Sequence, residues 1–169
     1  MCKEFFALAS QSFLGAASLL MMEAVHAHGW ITAPASRQEH CARRNTTFDC
    51  GALQYEPQSV EAPKGAWSCS GGSPFSILDS AGPWPITEVG RSTTFTWALT
   101  APHRTQSWEY FLNGTRLAWI DGQQQIPGRT VSHTLHHLPS GQHTILARWN
   151  IGDTAMAFYN CVDIFVRAD

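Results

Sequence analysis

The chain has 169 residues, 44% hydrophobic and 14% charged, with 11 Lys and Arg against 13 Asp and Glu and a formal net charge of −2. So mild an acidic balance excludes the basic stripe of a nucleic-acid-binding surface. The length suits one domain with its own core and leaves no room for a second of ordinary size.

At the N-terminus, Lys3 precedes a stretch from Phe5 to Met22 that is almost uncharged and rich in Ala, Leu, Phe and Met. Ser10, Gln11 and Ser12 interrupt it, leaving it short for a membrane span, which takes roughly 20 apolar residues. Val25-His26-Ala27 then fits the small-residue pattern of a signal-peptidase site. The reading is a signal peptide over 1–27, cleaved between Ala27 and His28, and a secreted, extracellular domain over 28–169 with no membrane or nucleic-acid partner. Cys2 leaves with the signal, and Cys41, Cys50, Cys69 and Cys161 remain. Four cysteines in a small exported domain read as two disulfides with three possible pairings. None has the C-x-x-C spacing of a zinc site. Two sequons, at Asn45 and Asn113, matter only in a eukaryotic host.

From His28 to about Pro85 the chain is rich in Gly, Pro, Ser and Asn and reads as loop, with one short helix between Gln54 and Val60. Strand patterns follow. Ser92–Thr100 places Phe95, Trp97 and Leu99 on one face with period two. Ser107–Leu112 leads through the turn dipeptide Asn113-Gly114 into "TRLAWI". Thr130–Leu138 puts Val131, His133, Leu135 and His137 on one side, Pro139-Ser140-Gly141 makes a turn, and His143–Asn150 and Ala157–Val166 close the chain. These short strands predict an all-β, immunoglobulin- or fibronectin III-like antiparallel β-sandwich with a large loop region between the first strands. A loop region of that length is usually functional.

Cleavage before His28 has a chemical consequence. The residue then carries a free α-amine, whose ordinary pKa of roughly 7.7–8 lets a metal displace its proton near neutral pH. That amine and the ring Nδ1 of the same histidine can close a six-membered chelate, and one further imidazole gives three nitrogens. Nitrogen donors in a planar arrangement favour Cu(II), and imidazole also tolerates Cu(I). His40, His103, His133, His136, His137 and His143 are the candidates for the third nitrogen. His103 follows a strand end at Pro102, which holds a side chain firmly at the end of a sandwich. His133 and His137 fall within a strand pattern, while the adjacent His136 and His137 point to opposite faces and make poor joint ligands.

The segments "HGWITAPASRQEHC", "CGALQYEPQSVEAPKG", "TFTWALTAPHRTQSWEYF" and "ILARWNIGDTAMAFYNCVDI" together resemble the bacterial-type lytic polysaccharide monooxygenases (auxiliary activity family ten, chitin-binding protein type), over nearly the whole of 28–169. The resemblance implies that the amine and ring of His28, with His103, hold one copper ion. It implies that Phe158 sits near an axial copper position and blocks a strong ligand there, that Ala101 crowds the opposite side, and that Glu61 orients a bound oxygen species. Tyr55, Glu56, Pro57, Gln58, Thr100, Asp153 and Thr154 would form a flat substrate face, and Cys41–Cys50 and Cys69–Cys161 would be the disulfides. An aromatic-and-amide patch can stack on sugars of an insoluble surface that a deep pocket could not engage. Two departures stand out: Met156, where chitin-active relatives often carry Asn, and a shortened connection after "SWEYFLNG".

The implied reaction is oxidative cleavage of β-1,4 glycosidic bonds by a monomer acting on an insoluble polysaccharide. Copper is reduced by an external electron donor, and hydrogen peroxide or dioxygen is the co-substrate. No hydrolytic carboxylate pair is required. "QYEPQSVE" and "TAPH" resemble chitin-active members most, whereas Cys69–Val89 resembles cellulose-active ones. A non-catalytic chitin-binding protein would keep the flat face without the three nitrogens. A secreted copper-binding protein would keep the nitrogens without Tyr55 or Glu61.

Overall fold

Period-two burial is where sequence and structure meet first. In the computed structural model, which describes residues 27–168, Phe95, Trp97 and Leu99 are all buried on one side of a strand over Thr93–Ala101. The signal-peptide reading, apart from Ala27, lies outside the described residues. In chain order the strands are β1 His28–Ala33, β2 Glu61–Pro63, β3 Thr87–Val89, β4 Thr93–Ala101, β5 Thr105–Leu112, β6 Thr115–Gln125, β7 Thr130–Leu135, β8 Gly141–Ile151 and β9 Met156–Val166.

The strands form two sheets. One has three strands in the order β1-β4-β7, and the other runs β2-β9-β8-β5-β6 with β3 beside β9. The expected β-sandwich is present, and its pairings are antiparallel except for β3 against β9, which is parallel. Asn113 and Gly114 both have positive φ, 49° and 78°, and turn β5 into β6 as the dipeptide predicts. Among the described residues no helix is long and apolar enough to cross a membrane.

Two buried clusters share the second sheet. Between the sheets lie Phe95, Trp97, Trp108, Tyr110, Trp149, Phe158, Val162 and Ile164. On the sheet's other face, Ala157, Tyr159, Cys161, Phe111 and Leu146 pack under the long N-terminal loop region with Leu53, Val60, Leu78 and Trp84. β9 is therefore buried on both faces, which is why "AFYNCVDIFV" shows a near-continuous apolar run. Disulfide Cys69–Cys161 ties the loop region to β9, and Cys41–Cys50 closes a short loop within it.

Three local expectations need correction. The loop-like N-terminal third contains β1 and a helix, α1 Arg37–Ala42, capped by Ser36, whose hydroxyl accepts from Glu39 N. The helix expected between Gln54 and Val60 is instead two 3-10 turns, Gly51–Gln54 and Pro57–Ser59, separated by Tyr55 and Glu56. β7 ends at Leu135, and His137, with φ of 58°, has left the strand and is exposed.

Candidate functional site

His28 is the first residue of β1, and the β1–β4 register sets its Cα opposite Ala101, two residues before His103. The register alone carries the two histidines to one end of the sandwich. Gly29 behind His28 has no room for a side chain: an added Cβ would lie 2.4 Å from Leu99 Cδ2 and 3.3 Å from Trp149 Cζ3. Asn160 of β9 reaches across from the second sheet, its Oδ1 accepting from Ile31 N at 2.9 Å, and pins β1 in place.

His103 lies in the link between β4 and β5 and is only 9% exposed. Its carbonyl accepts from Thr105 Oγ1 at 3.0 Å, and Thr105 Oγ1 in turn accepts from Trp149 Nε1 at 2.8 Å. The loop is thereby anchored to the inter-sheet core. Its ring Nε2 lies 2.8 Å from Asp153 Oδ1, on the β8–β9 connection. That connection is tied back by Gly152 N donating to Arg104 O at 2.6 Å. A carboxylate on one ring nitrogen fixes the orientation of the imidazole. Asp153 either yields Nε2 to a metal or leaves Nδ1 for it.

Phe158 completes the group. It is 1% exposed, its ring centroid 6.3 Å from that of His28 and 5.2 Å from Trp149. β2 pairs Glu61 with Phe158, so the partly buried Glu61 belongs to the same sheet end. Ala101, partly buried, is the register partner of His28. Thr100 and Thr154 are exposed nearby, Thr154 Oγ1 accepting from Met156 N at 3.1 Å. The 3-10 turn Pro57–Ser59 packs against β1 and brings the preceding residues alongside. There Tyr55 is 72% exposed, so it is no core aromatic. Glu56 and Gln58 are partly exposed, but Pro57 is buried at the start of the turn. Pro57 thus shapes the loop on which Glu56 and Gln58 stand.

The other histidines stand elsewhere. His143 is eight residues from Ile151 along β8, about 26 Å at strand rise, and His136 and His137 neighbour that far end. His133, partly buried, pairs with Phe95, its Nδ1 2.8 Å from Tyr110 Oη. Burial pushes its pKa down. His40 is held in α1 with Nδ1 near Asn45, its pKa also lowered, chiefly by burial. An open cavity of about 680 Å³ borders Glu56 and Phe75 but does not include either His28 or His103.

Among the described residues no three side chains of His, Cys, Asp or Glu come together in a way that could hold a metal. Two imidazoles at one sheet end need a third donor that is not a side chain, and an α-amine on His28 is such a donor. The donor chemistry thus fits copper, provided the chain begins at His28. Trp149 and Asn160 were missed in the sequence. Asn160 had a visible signal, an amide inside a largely apolar strand, which needs a buried partner.

A family model described as lytic polysaccharide mono-oxygenase, cellulose-degrading, matches residues 28–164. A lytic chitin monooxygenase of Streptomyces ambofaciens is 49% identical over 144 residues, 83% of this chain and 82% of that protein. One from Enterococcus faecalis is 36% identical over 183 residues, 92% of this chain and 94% of its own. The solved structure of a Jonesia denitrificans lytic polysaccharide monooxygenase superposes with a TM-score of 0.82 at 55% identity, covering 83% of this chain and 100% of that one.

Proposed function

Since the chain belongs to the lytic polysaccharide monooxygenase family, we propose that residues 28–169 are a secreted, copper-dependent enzyme that cleaves β-1,4 bonds of crystalline chitin oxidatively. The signal peptide over 1–27 is cut between Ala27 and His28, freeing the amine. The observation that carries this reading is the β1–β4 register, which sets His28 opposite Ala101 and so beside the His103 loop, while among the described residues no three His, Cys, Asp or Glu side chains gather to hold a metal.

One copper ion would be held by the His28 amine and ring and by His103, where it supplies a redox centre driven by an external electron donor with hydrogen peroxide or dioxygen as co-substrate. The protein's own residues do the rest. Asp153 holds the His103 ring. Phe158 presents an apolar ring toward His28 and keeps a strong ligand from that side. Ala101, the register partner of His28, would crowd the opposite side and limit access there. Glu61, at the same level of the sheet, can hydrogen-bond an oxygen species and keep its proton placed. Tyr55 offers an exposed ring for stacking on a sugar, and Glu56, Gln58, Thr100, Asp153 and Thr154 offer hydrogen bonds to its hydroxyl and acetamido groups. Met156, partly exposed at the start of β9, carries a thioether that gives a softer, less polar contact than an amide would.

Chitin is the expected polymer because the relatives named above are lytic chitin monooxygenases. Cellulose is the second reading, favoured by the description of the family model. The test is to incubate the copper-loaded protein, starting at His28, with chitin or cellulose and ascorbate, and to look for soluble products heavier by one oxygen. Their absence on both polymers overturns the catalytic reading.

A further inference from the structure

The outer face of the second sheet carries two exposed tryptophans. Trp67 is 61% exposed and Trp119 is 51% exposed. Ala118 and Ile120 pack toward the inter-sheet core, so by strand alternation Trp119 points to the opposite, outer side. Register aligns Trp119 of β6 with Glu109 of β5, Glu109 with Arg148 of β8, and Arg148 with Tyr159 of β9, one continuous row across the sheet.

Trp67 comes from the loop region and lies on the same row. The Arg148 guanidinium carbon sits 5.0 Å from its ring centroid, and the Phe111 ring meets it edge-on at 4.9 Å. An indole this exposed is usually mobile, but here it is held from beneath. Glu109 fixes the floor between the two tryptophans. Its carboxylate takes Arg148 at 3.3 Å, Arg116 at 3.2 Å and Asn150 Nδ2 at 2.9 Å. Trp119 and Arg148 are two strand spacings apart, about 10 Å, so the two indoles cannot stack on the same sugar ring.

We propose that this row is a second polysaccharide-binding surface, which holds a neutral β-linked sugar chain across Trp67 and Trp119 and retains the protein on its insoluble polymer. The proposal rests on the polysaccharide reading above and extends it to a different face. Arg148 is three residues from Ile151, the register partner of Thr105, which puts the row about 10 Å down the side of the sandwich from the His103 end. Neutral sugar is the fitting occupant because the charges cancel: Glu109 and Asp121 against Arg116 and Arg148. An anionic polymer would need a positive excess here. Fixed aromatic rings flanked by paired hydrogen-bonding groups match the apolar faces and hydroxyl edges of sugars, and holding them in advance reduces the entropy lost on binding.

The experiment compares depletion isotherms on chitin and cellulose powder for the processed protein and its Trp67→Ala, Trp119→Ala, double and Tyr55→Ala variants. Circular dichroism checks each fold, and Trp119→Tyr serves as the conservative control. Each alanine variant is expected to lower partitioning about threefold to tenfold. The double variant should lose more than either single one, and the tyrosine should restore most of the binding. The loss should persist at about 1 M salt, where exposed charges are screened within roughly 3 Å. If the double variant binds as the parent does while Tyr55→Ala binds less, this second surface is overturned and the proposed function stands. If the parent binds neither polymer, both fall. Loss only at low salt, or loss on a protein partner with none on polysaccharide, also overturns it.

Discussion

The two faces of β9 are buried by different means. Phe158, Val162 and Ile164 meet a layer of aromatic side chains between two sheets. Tyr159, Cys161 and Asp163, on the other side of the same strand, meet a loop region held by a disulfide, a buried ion pair and single hydrogen bonds. A sheet can be covered by another sheet with apolar contacts alone. A loop brings its own unpaired backbone groups, so covering a sheet with one requires specific polar partners. Gln38 Nε2 donates to Tyr159 O at 2.6 Å, and Arg37 Nη1 to Leu78 O at 2.6 Å, for this reason.

The largest expected effect breaks the loop side. Cys69 and Cys161 are 92 residues apart, against 9 for Cys41 and Cys50. By loop entropy the first is worth about 4–5 kcal/mol and the second about 3. Replacing both Cys69 and Cys161 by Ala should lower stability in chemical denaturation by more than the matching Cys41 and Cys50 change. Equal losses would mean that the loop region is held by its packing rather than by the bridge.

Next comes Arg37. Its Nε and Nη2 meet the two oxygens of Asp163 at 2.7 and 3.0 Å, both side chains being only 10% exposed. Thr144 Oγ1 also donates to Asp163, and the guanidinium lies 5.1 Å over Trp84. Arg37→Ala leaves the carboxylate buried without its main partner and should cost about 3 kcal/mol, read as a shift in the urea midpoint. Asp163→Asn in the same background should recover part of that loss.

These two predictions also show what the sequence could reveal. Phe95, Trp97 and Leu99 were legible because β4 alternates cleanly between core and outside. β9 was legible as a strand, but its second buried face was not, since a run apolar on both sides carries no alternation. α1 was missed although Ser36 and Glu39 stand at the spacing of an N-terminal cap. The helix is six residues long, and Arg37 to Cys41 are all buried, so no amphipathic period exists. At the candidate site the chemistry of His28 could be read from its place after a cleavage pattern, but its partner histidine stayed open among six. His103 comes to the His28 end through the pairing of β1 with β4, a contact across more than 60 residues that no local pattern encodes.

Gly29→Ala tests the inter-sheet side where it supports the site. The new methyl would press on Leu99 and Trp149, and overpacking of this kind costs about 1–3 kcal/mol. Because Gly29 follows His28, the strand end should shift with it. Weaker Cu(II) binding by calorimetry is therefore expected alongside a lower melting temperature. A drop in melting temperature with unchanged copper affinity would show that the His28 end is positioned independently of the core beneath it.

The smallest effect is shared by the two faces, since each holds one histidine at least partly away from water. His133 lies on the inter-sheet side beside Trp108 and Tyr110, and His40 in the loop region beside the first disulfide. Burial lowers both pKa values below the ordinary 6.5, so at mildly acidic pH the unfolded chain binds protons that the folded chain refuses. Stability is then full above about pH 6.5 and declines as pH falls from there toward the folded values. The two should differ in degree. Only burial acts on His133, whereas Asp163 and Glu39 oppose burial at His40, with Arg43 adding to it. His133→Gln should therefore flatten the melting temperature between pH 7 and pH 5 more than His40→Gln does. The reverse order would mean that the loop region, not the core between the sheets, gives way first on acidification.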